Sequence, residues 1–269
     1  MSAAGGPGSA GNAGSTGGPR VPLLAVAHGS EDERSSATVE RVFARVRELR
    51  PDLDVRVAYL DHVEPGAEEA LAGLAAEGAG EVVVLPALLT AAYHSKVDLP
   101  GVLERVAAAC PWLSVRYAGT LGPHTLLLEA VERRLGEVGR SASPDTALVL
   151  ASAGSSDPEA NAVIEEAAAE LARRGPWREV AAAYASMASP TPAEAVSRLR
   201  AEGASQVVAA TYLLAPGFFA DRVADQAFAE GAVTVSPALG DAPEVAELVV
   251  RRYEEALQTA PAFPRVAAG

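Results

Sequence analysis

Two stretches of this chain, PLLAVAHGSED at residues 22–32 and TALVLASAGSSD at 146–157, are variants of one pattern. In each, an apolar run empties into Gly-Ser and an aspartate, so that Gly29, Ser30 and Asp32 fall on Gly154, Ser155 and Asp157 at an interval of 125 residues. The interval persists without a gap. Tyr59 falls on Tyr184, Pro65 on Pro190, Glu77-Gly78-Ala79 on Glu202-Gly203-Ala204, Val82-Val83 on Val207-Val208 and Leu88-Leu89 on Leu213-Leu214. A match of this length is internal duplication, so whatever one half folds into, the other must fold into as well.

The unit that is duplicated alternates strand and helix. VPLLAVA, DVRVAYL, EVVVLP and LSVRYAG are short apolar runs. Between them lie amphipathic stretches: one with Val39, Val42, Phe43, Val46 and Leu49 on one face, one ending at Gly78, and one near 98–109, while a fourth opens near Pro123. Such a βαβα series demands a parallel sheet covered by helices. GRSASPD, residues 139–145, interrupts it as a linker. The division expected is a disordered Gly/Ser/Ala-rich tail over 1–20, a lobe over 21–138, the linker, a second lobe over 146–259 and a C-terminal tail over 260–269.

Composition narrows the function. Hydrophobic residues make up 49% of the 269, enough for a full core. A formal net charge of −13 repels phosphate backbones and argues against nucleic-acid binding, and it obliges any polyanionic ligand to find a local basic patch. One cysteine, Cys110, excludes an internal disulfide and reads as a small buried residue. No stretch approaches the ~20 apolar residues that span a bilayer, and the N-terminus lacks the pattern of a secretory signal. A cytoplasmic protein without membrane contact is expected.

Duplication also separates folding from chemistry, because positions required by the fold recur in both halves. Under the same interval His28 falls on Ala153, Asp61 on Ser186 and His94 on Phe219. Each change replaces a metal-capable side chain with a poor one, and each residue follows a strand, at the edge where open parallel sheets bind ligands. Two histidines and a carboxylate suit a divalent first-row metal. Taken singly, His28 could cap a helix and Asp61 could be a turn residue. His62, which falls on Met187, reads as a solvated loop histidine, and His124, in LGPH, as a helix cap.

These residues resemble the sirohydrochlorin chelatase family, in its long form with both lobes in one chain. AHGSEDERS is similar to the family's opening His-Gly-Ser signature, AAYHSKVDLP to its histidine loop after the third strand (with Ala92 where glycine is usual), and LGPH recurs in it. The resemblance implies two tandem flavodoxin-like parallel-sheet lobes, an α/β fold, facing a central cleft. It implies ATP-independent insertion of Fe²⁺ or Co²⁺, a substrate rather than a permanent cofactor, into sirohydrochlorin, with a lean to iron by analogy. His94 would be the principal base and a metal contact, His28 a second contact, and Asp61, where the family often has glutamate, a third ligand or an orienting group. The substrate carries carboxylates, which Lys96, Arg34, Arg222 and the backbone near Ser30 would meet. Phe219, with Phe218, would offer the flat ring an apolar face. The duplication supplies two lobes in one chain, so a monomer is expected. Three other readings are open: a metal or tetrapyrrole binding and delivery protein without catalysis, a hydrolase using Ser30 with His28, and a relic whose lobes only bind a tetrapyrrole.

Overall fold

The computed structural model describes residues 20–91 and 94–263, the side chain of His94 excepted. The expected N-terminal tail lies outside these residues apart from Arg20, as do residues 264–269. The first half runs β1 (Leu23–Ala27), α1 (Glu33–Leu49), β2 (Val55–Tyr59), α2 (Ala67–Ala76), β3 (Glu81–Pro86), α3 (Leu99–Ala109), β4 (Ser114–Tyr117) and α4 (Thr125–Glu137). The second runs β5 (Thr146–Ser152), α5 (Pro158–Arg174), β6 (Glu179–Tyr184), α6 (Pro192–Ala201), β7 (Gln206–Thr211), α7 (Phe218–Ala229), β8 (Thr234–Val235) and α8 (Pro243–Gln258). Each half forms a four-stranded sheet, ordered β2-β1-β3-β4 and β6-β5-β7-β8, with every pair parallel. This is the flavodoxin-like order without a fifth strand.

Local chemistry repeats with the fold. Asp32 and Asp157 cap α1 and α5, their carboxylates accepting from the backbone N–H of Arg34 and Glu159. Gly78, at φ 93°, ends α2 as expected, with Gly78 N–H donating to Ala75 O and Ala79 N–H to Leu74 O. Sheet register preserves the 125-residue interval through the third strand, since Leu23 pairs with Val83 and Leu148 with Val208. Beyond it the interval shrinks. Val83 pairs with Arg116 and Val208 with Thr234, an interval of 118. Most of the difference lies before the third helix, where residues 87–98 in the first half answer to 212–217 in the second. The surplus holds a single π-helical turn, His94–Asp98. Equating His94 with Phe219 is therefore corrected: Phe219 is the second residue of α7, matching Pro100 in α3, and His94 lies in a segment that the second half lacks.

Alternation along the strands divides the core in three. Leu24 and Val26 face a cluster whose buried residues all come from the first half, with Phe263 packed against it, and Ala147, Val149 and Ala151 one made by the second alone. Leu23, Ala25, Ala27, Leu148 and Leu150 face the other way, into a core that both halves build. That core is closed by an exchange of helices. α8 packs on α1, β3 and β4 of the first half, and α4 packs on β7 and on α8. In space, then, the fourth helix of each half belongs to the opposite lobe. Two arginines at matching positions seal the exchange. Arg134 on α4 donates through Nε to Leu239 O (2.9 Å), and Arg252 on α8 donates to Thr120 O (2.8 Å) and Leu121 O (3.1 Å). Arg133 and Glu244 add a two-pronged ion pair between the same helices at 2.6–2.9 Å.

Two outcomes are expected from these joints. Arg252→Leu strips loop carbonyls of their donor and costs about 2 kcal/mol. Urea unfolding followed by fluorescence checks this, and should show one transition, because both lobes share the core. Hydrogen bonds from Arg133 hold the Glu244 carboxyl below its ordinary range. A carboxyl whose folded value is depressed stabilises the protein above its unfolded value and loses that contribution as the pH falls through the folded one. Thermal midpoints should therefore show an excess acid destabilisation below about pH 5 in the parent that Glu244→Gln lacks.

Candidate active site

The first strand of each half ends in a turn that only glycine can make. Gly29 sits at φ 92°, and a Cβ there would lie 1.8 Å from Asp61 O; at Gly154, φ 83°, it would lie 1.9 Å from Ser186 O. The loop after the second strand is stitched onto this turn, Asp61 N–H donating to His28 O and Ser186 N–H to Ala153 O, both at 2.9 Å. Ser30 Oγ accepts from Asp32 N–H (3.1 Å) and Ser155 Oγ from Asp157 N–H (3.0 Å). Ser30 is thus a turn residue that recurs where no histidine precedes it, which removes the ground for a Ser30–His28 hydrolase. His28 has no such recurrence. Its half-buried ring places Nδ1 3.0 Å from the Gly29 carbonyl oxygen. A carbonyl accepts only from a protonated nitrogen, so the lone pair of the neutral ring resides on Nε2.

After the second strand, His62 (φ 62°) and Met187 (φ 61°) adopt the left-handed conformation at the same repeat position. Each centres a three-residue turn closed by Val63 N–H to Asp61 O or Ala188 N–H to Ser186 O, both 2.8 Å. The turn is a property of the fold, since it recurs with a different side chain. It aims His62 and Met187 into the cleft. The Asp61 carboxylate is instead 66% exposed; it accepts from His62 N–H (2.9 Å), lies 3.3 Å from His62 Nε2 and does not line the cavity. The side chain that lines the cleft after this strand is thus His62, against the expectation of a solvated loop histidine, while Asp61 lies behind it, in the place of an orienting group rather than at the cavity wall.

The third strand leads to the π-helical turn. Tyr93 and Ala92 of the histidine motif lie outside the described residues, as does the His94 side chain; its backbone opens the turn. Such turns recur at functional sites because they offset the residues around them. Tyr117 of β4, its hydroxyl pushed up in pKa by burial, donates to Ser95 O at 2.8 Å and ties the turn to the sheet. His124 caps α4 as expected, Nδ1 accepting from Leu126 N–H at 3.1 Å.

Together these loops wall a cavity of about 1140 Å³ between the lobes. His28, Glu31, His62 and Ser95 face it from the first half, Met187, Phe218 and Phe219 from the second. The two phenylalanines meet edge to face at 5.4 Å, and both are exposed. No lysine or arginine lines the cavity among the described residues. The expected cations stand at its mouth, already partnered. Arg34 binds Asp32 and, across the cleft, Asp221, each at 2.6 Å; Lys96 reaches Asp157 at 2.9 Å and Glu159 at 3.1 Å. Arg34 holds Asp32, and Lys96 holds Asp157, below the usual carboxylate range. Arg222 is exposed on α7, away from the cavity lining. Sequence reasoning missed this pairing, although the repeat carries part of its signal: at the 125-residue interval, which holds through the first helix, Arg34 falls on Glu159, a sign reversal.

Two parallel-sheet lobes that close on a cleft at the carboxyl ends of their strands, with imidazoles on one wall only among the described residues, define a two-lobed α/β protein with an asymmetric cleft. The CbiX family model matches residues 22–138 and 147–256, and the chain belongs to that family. It is 27% identical over 207 residues to a sirohydrochlorin ferrochelatase of Priestia megaterium, covering 76% of this chain and 77% of that protein. To a sirohydrochlorin cobaltochelatase of the same organism it is 28% identical over 208 residues, covering 75% and 66%. Its fold matches SirB from Bacillus subtilis with Fe³⁺ at a TM-score of 0.78, 24% identity, over 92% of this chain and all of that one.

Because a Cβ at position 29 meets backbone rather than a movable side chain, Gly29→Ala should cost of the order of 3 kcal/mol. Differential scanning calorimetry checks it. Gly154→Ala should cost a similar amount although its lobe carries no ligand set.

Proposed function

We propose that the protein inserts Fe²⁺ or Co²⁺ into sirohydrochlorin, the macrocycle entering the cleft between the lobes. The observation that carries this reading is the asymmetry of that cleft. One wall presents imidazoles and the other an aromatic and thioether surface, in a family whose named relatives are sirohydrochlorin ferrochelatases and cobaltochelatases. A flat tetrapyrrole has the same two needs, a metal offered to one face and an apolar support against the other.

Insertion forms metal–nitrogen bonds and releases two pyrrole protons. A metal held by imidazole is bound loosely enough to be handed on, and an imidazole near neutrality also accepts a proton. His28, with its lone pair on Nε2, is one contact for the ion. His94, at the head of the π-helical turn, is the second contact and the base. His62 faces the same cavity, backed by Asp61. Phe218, Phe219 and Met187 support the ring. A substrate carboxylate meets Arg34 at the cleft mouth, with the hydroxyl of Ser30 beside it. A single chain supplies both walls, and we read the working unit as a monomer.

Absorbance of purified protein with sirohydrochlorin and Co²⁺ or Fe²⁺ tests the reading. Metal insertion faster than the protein-free rate is expected, with His94→Ala and His28→Ala slowed by at least about a hundredfold and Ser30→Ala by no more than about tenfold, the loss of one hydrogen bond to substrate. Binding of the tetrapyrrole without faster insertion would replace catalysis by delivery.

A further inference from the structure

The second lobe retains the fold but not the histidines, and its part beyond supporting the ring is written at the cleft mouth. Lys96 stands two residues after His94 on the π-helical turn. Its Nζ donates to Asp157 Oδ2 and Glu159 Oε2, both at the N-terminal end of α5 in the other lobe. Asp157 is itself fixed, because its Oδ1 caps α5 by accepting from Glu159 N–H at 3.0 Å. The neighbouring residue, Ser95, is held from below by Tyr117. Consecutive residues of the turn are thus tethered in two directions, one to the sheet beneath and one to the lobe opposite.

We infer that Asp157 and Glu159 are positioning residues: through Lys96 they hold the turn that carries His94, so the second lobe sets the placement of a metal-handling residue it does not contain. The repeat supports this. Arg34 and Glu159 are both residues of a first helical turn, after the same Gly-Ser-x-Asp element, yet carry opposite charge. An unaltered second copy would have set a cation against Lys96. The sign reversal makes the contact attractive, and it places both cations on the half that bears the histidines. An exposed ion pair is individually weak. It biases the turn without locking it, as a loop that must receive a metal and release a product requires. Lys96 does not line the cavity, which separates this role from direct contact with the substrate.

The inference rests on the chelatase reading, and the test is built to separate the two. In the full chain, Lys96→Met is compared with the pair Asp157→Asn/Glu159→Gln, which removes charge but keeps the oxygen that caps α5. Steady-state insertion of Co²⁺ into sirohydrochlorin is measured alongside Co²⁺ affinity without tetrapyrrole, by visible absorption. Positioning predicts that both variants lose kcat by about five- to tenfold, weaken Co²⁺ binding by a similar factor and keep KM for the tetrapyrrole within about twofold. The reversed pair Lys96→Glu/Glu159→Lys, with Asp157→Asn, should recover most of the loss. If Lys96→Met raises KM while the carboxylate pair matches the parent, Lys96 binds substrate and the inference is overturned. Unchanged Co²⁺ affinity in both variants overturns it too. A parent that binds Co²⁺ but inserts none would fail the chelatase reading alone, and the affinity comparison would still decide the tether.

Discussion

The rest of the molecule depends on one exchange: each half gives up its last helix to cover the other half's sheet. A parallel sheet needs both faces covered, and three helices per half do not suffice. Val245, Leu248, Val249 and Tyr253 of α8 are buried in the core shared with α1, and the Tyr253 hydroxyl donates to Val21 O at the entrance to β1, 2.7 Å away. Arg134 and Arg252 then carry the same bond in opposite directions across the join. The separation of the lobes is therefore fixed by a packed interior rather than by the short linker. A packed interior resists deformation. Adaptation to a bound ligand therefore falls to the loops rather than to the interior.

Within that frame the repeat distinguishes scaffold from chemistry. The Gly-Ser turn, the capping aspartates and the left-handed residue after the second strand all occur twice, so they serve the fold. His28, His62 and the π-helical turn occur once. The electrostatics are equally one-sided. In a chain of net charge −13 the cleft lining holds acids and no lysine or arginine among the described residues, and both mouth cations come from the first half. An anionic ligand entering there competes with carboxylates already seated on Arg34.

Much of this was legible in the residues. The alternating apolar runs read as β1 to β4, the 125-residue interval fixed the equivalence of the first three strands, and His124 and Gly78 stand where capping chemistry places them. Three features were not legible, each for a physical reason. An amphipathic pattern shows that α4 and α8 bury one face but not which sheet that face covers. Loops change length at little cost, so the apolar Leu88-Leu89 and Leu213-Leu214 kept the two halves aligned past the point where the second is shorter. That hid the singularity of the His94 segment. Alternation does not extend through a tight turn, so nothing in Asp61-His62 said which side chain would face the cleft.

One more consequence lies in time. The chain does not end its work on the first sheet with β4. Phe263 pairs antiparallel with Val115, bonding at 2.9 and 3.1 Å, and α8 must arrive before β3 and β4 are covered. Domains generally fold as they emerge during synthesis, the N-terminal one first. Here the half that is made first waits with its sheet edge and inner face uncovered until about 140 further residues have followed β4. The half that carries the histidines is begun first and finished last, and its site is assembled only once the second lobe is in place to hold it.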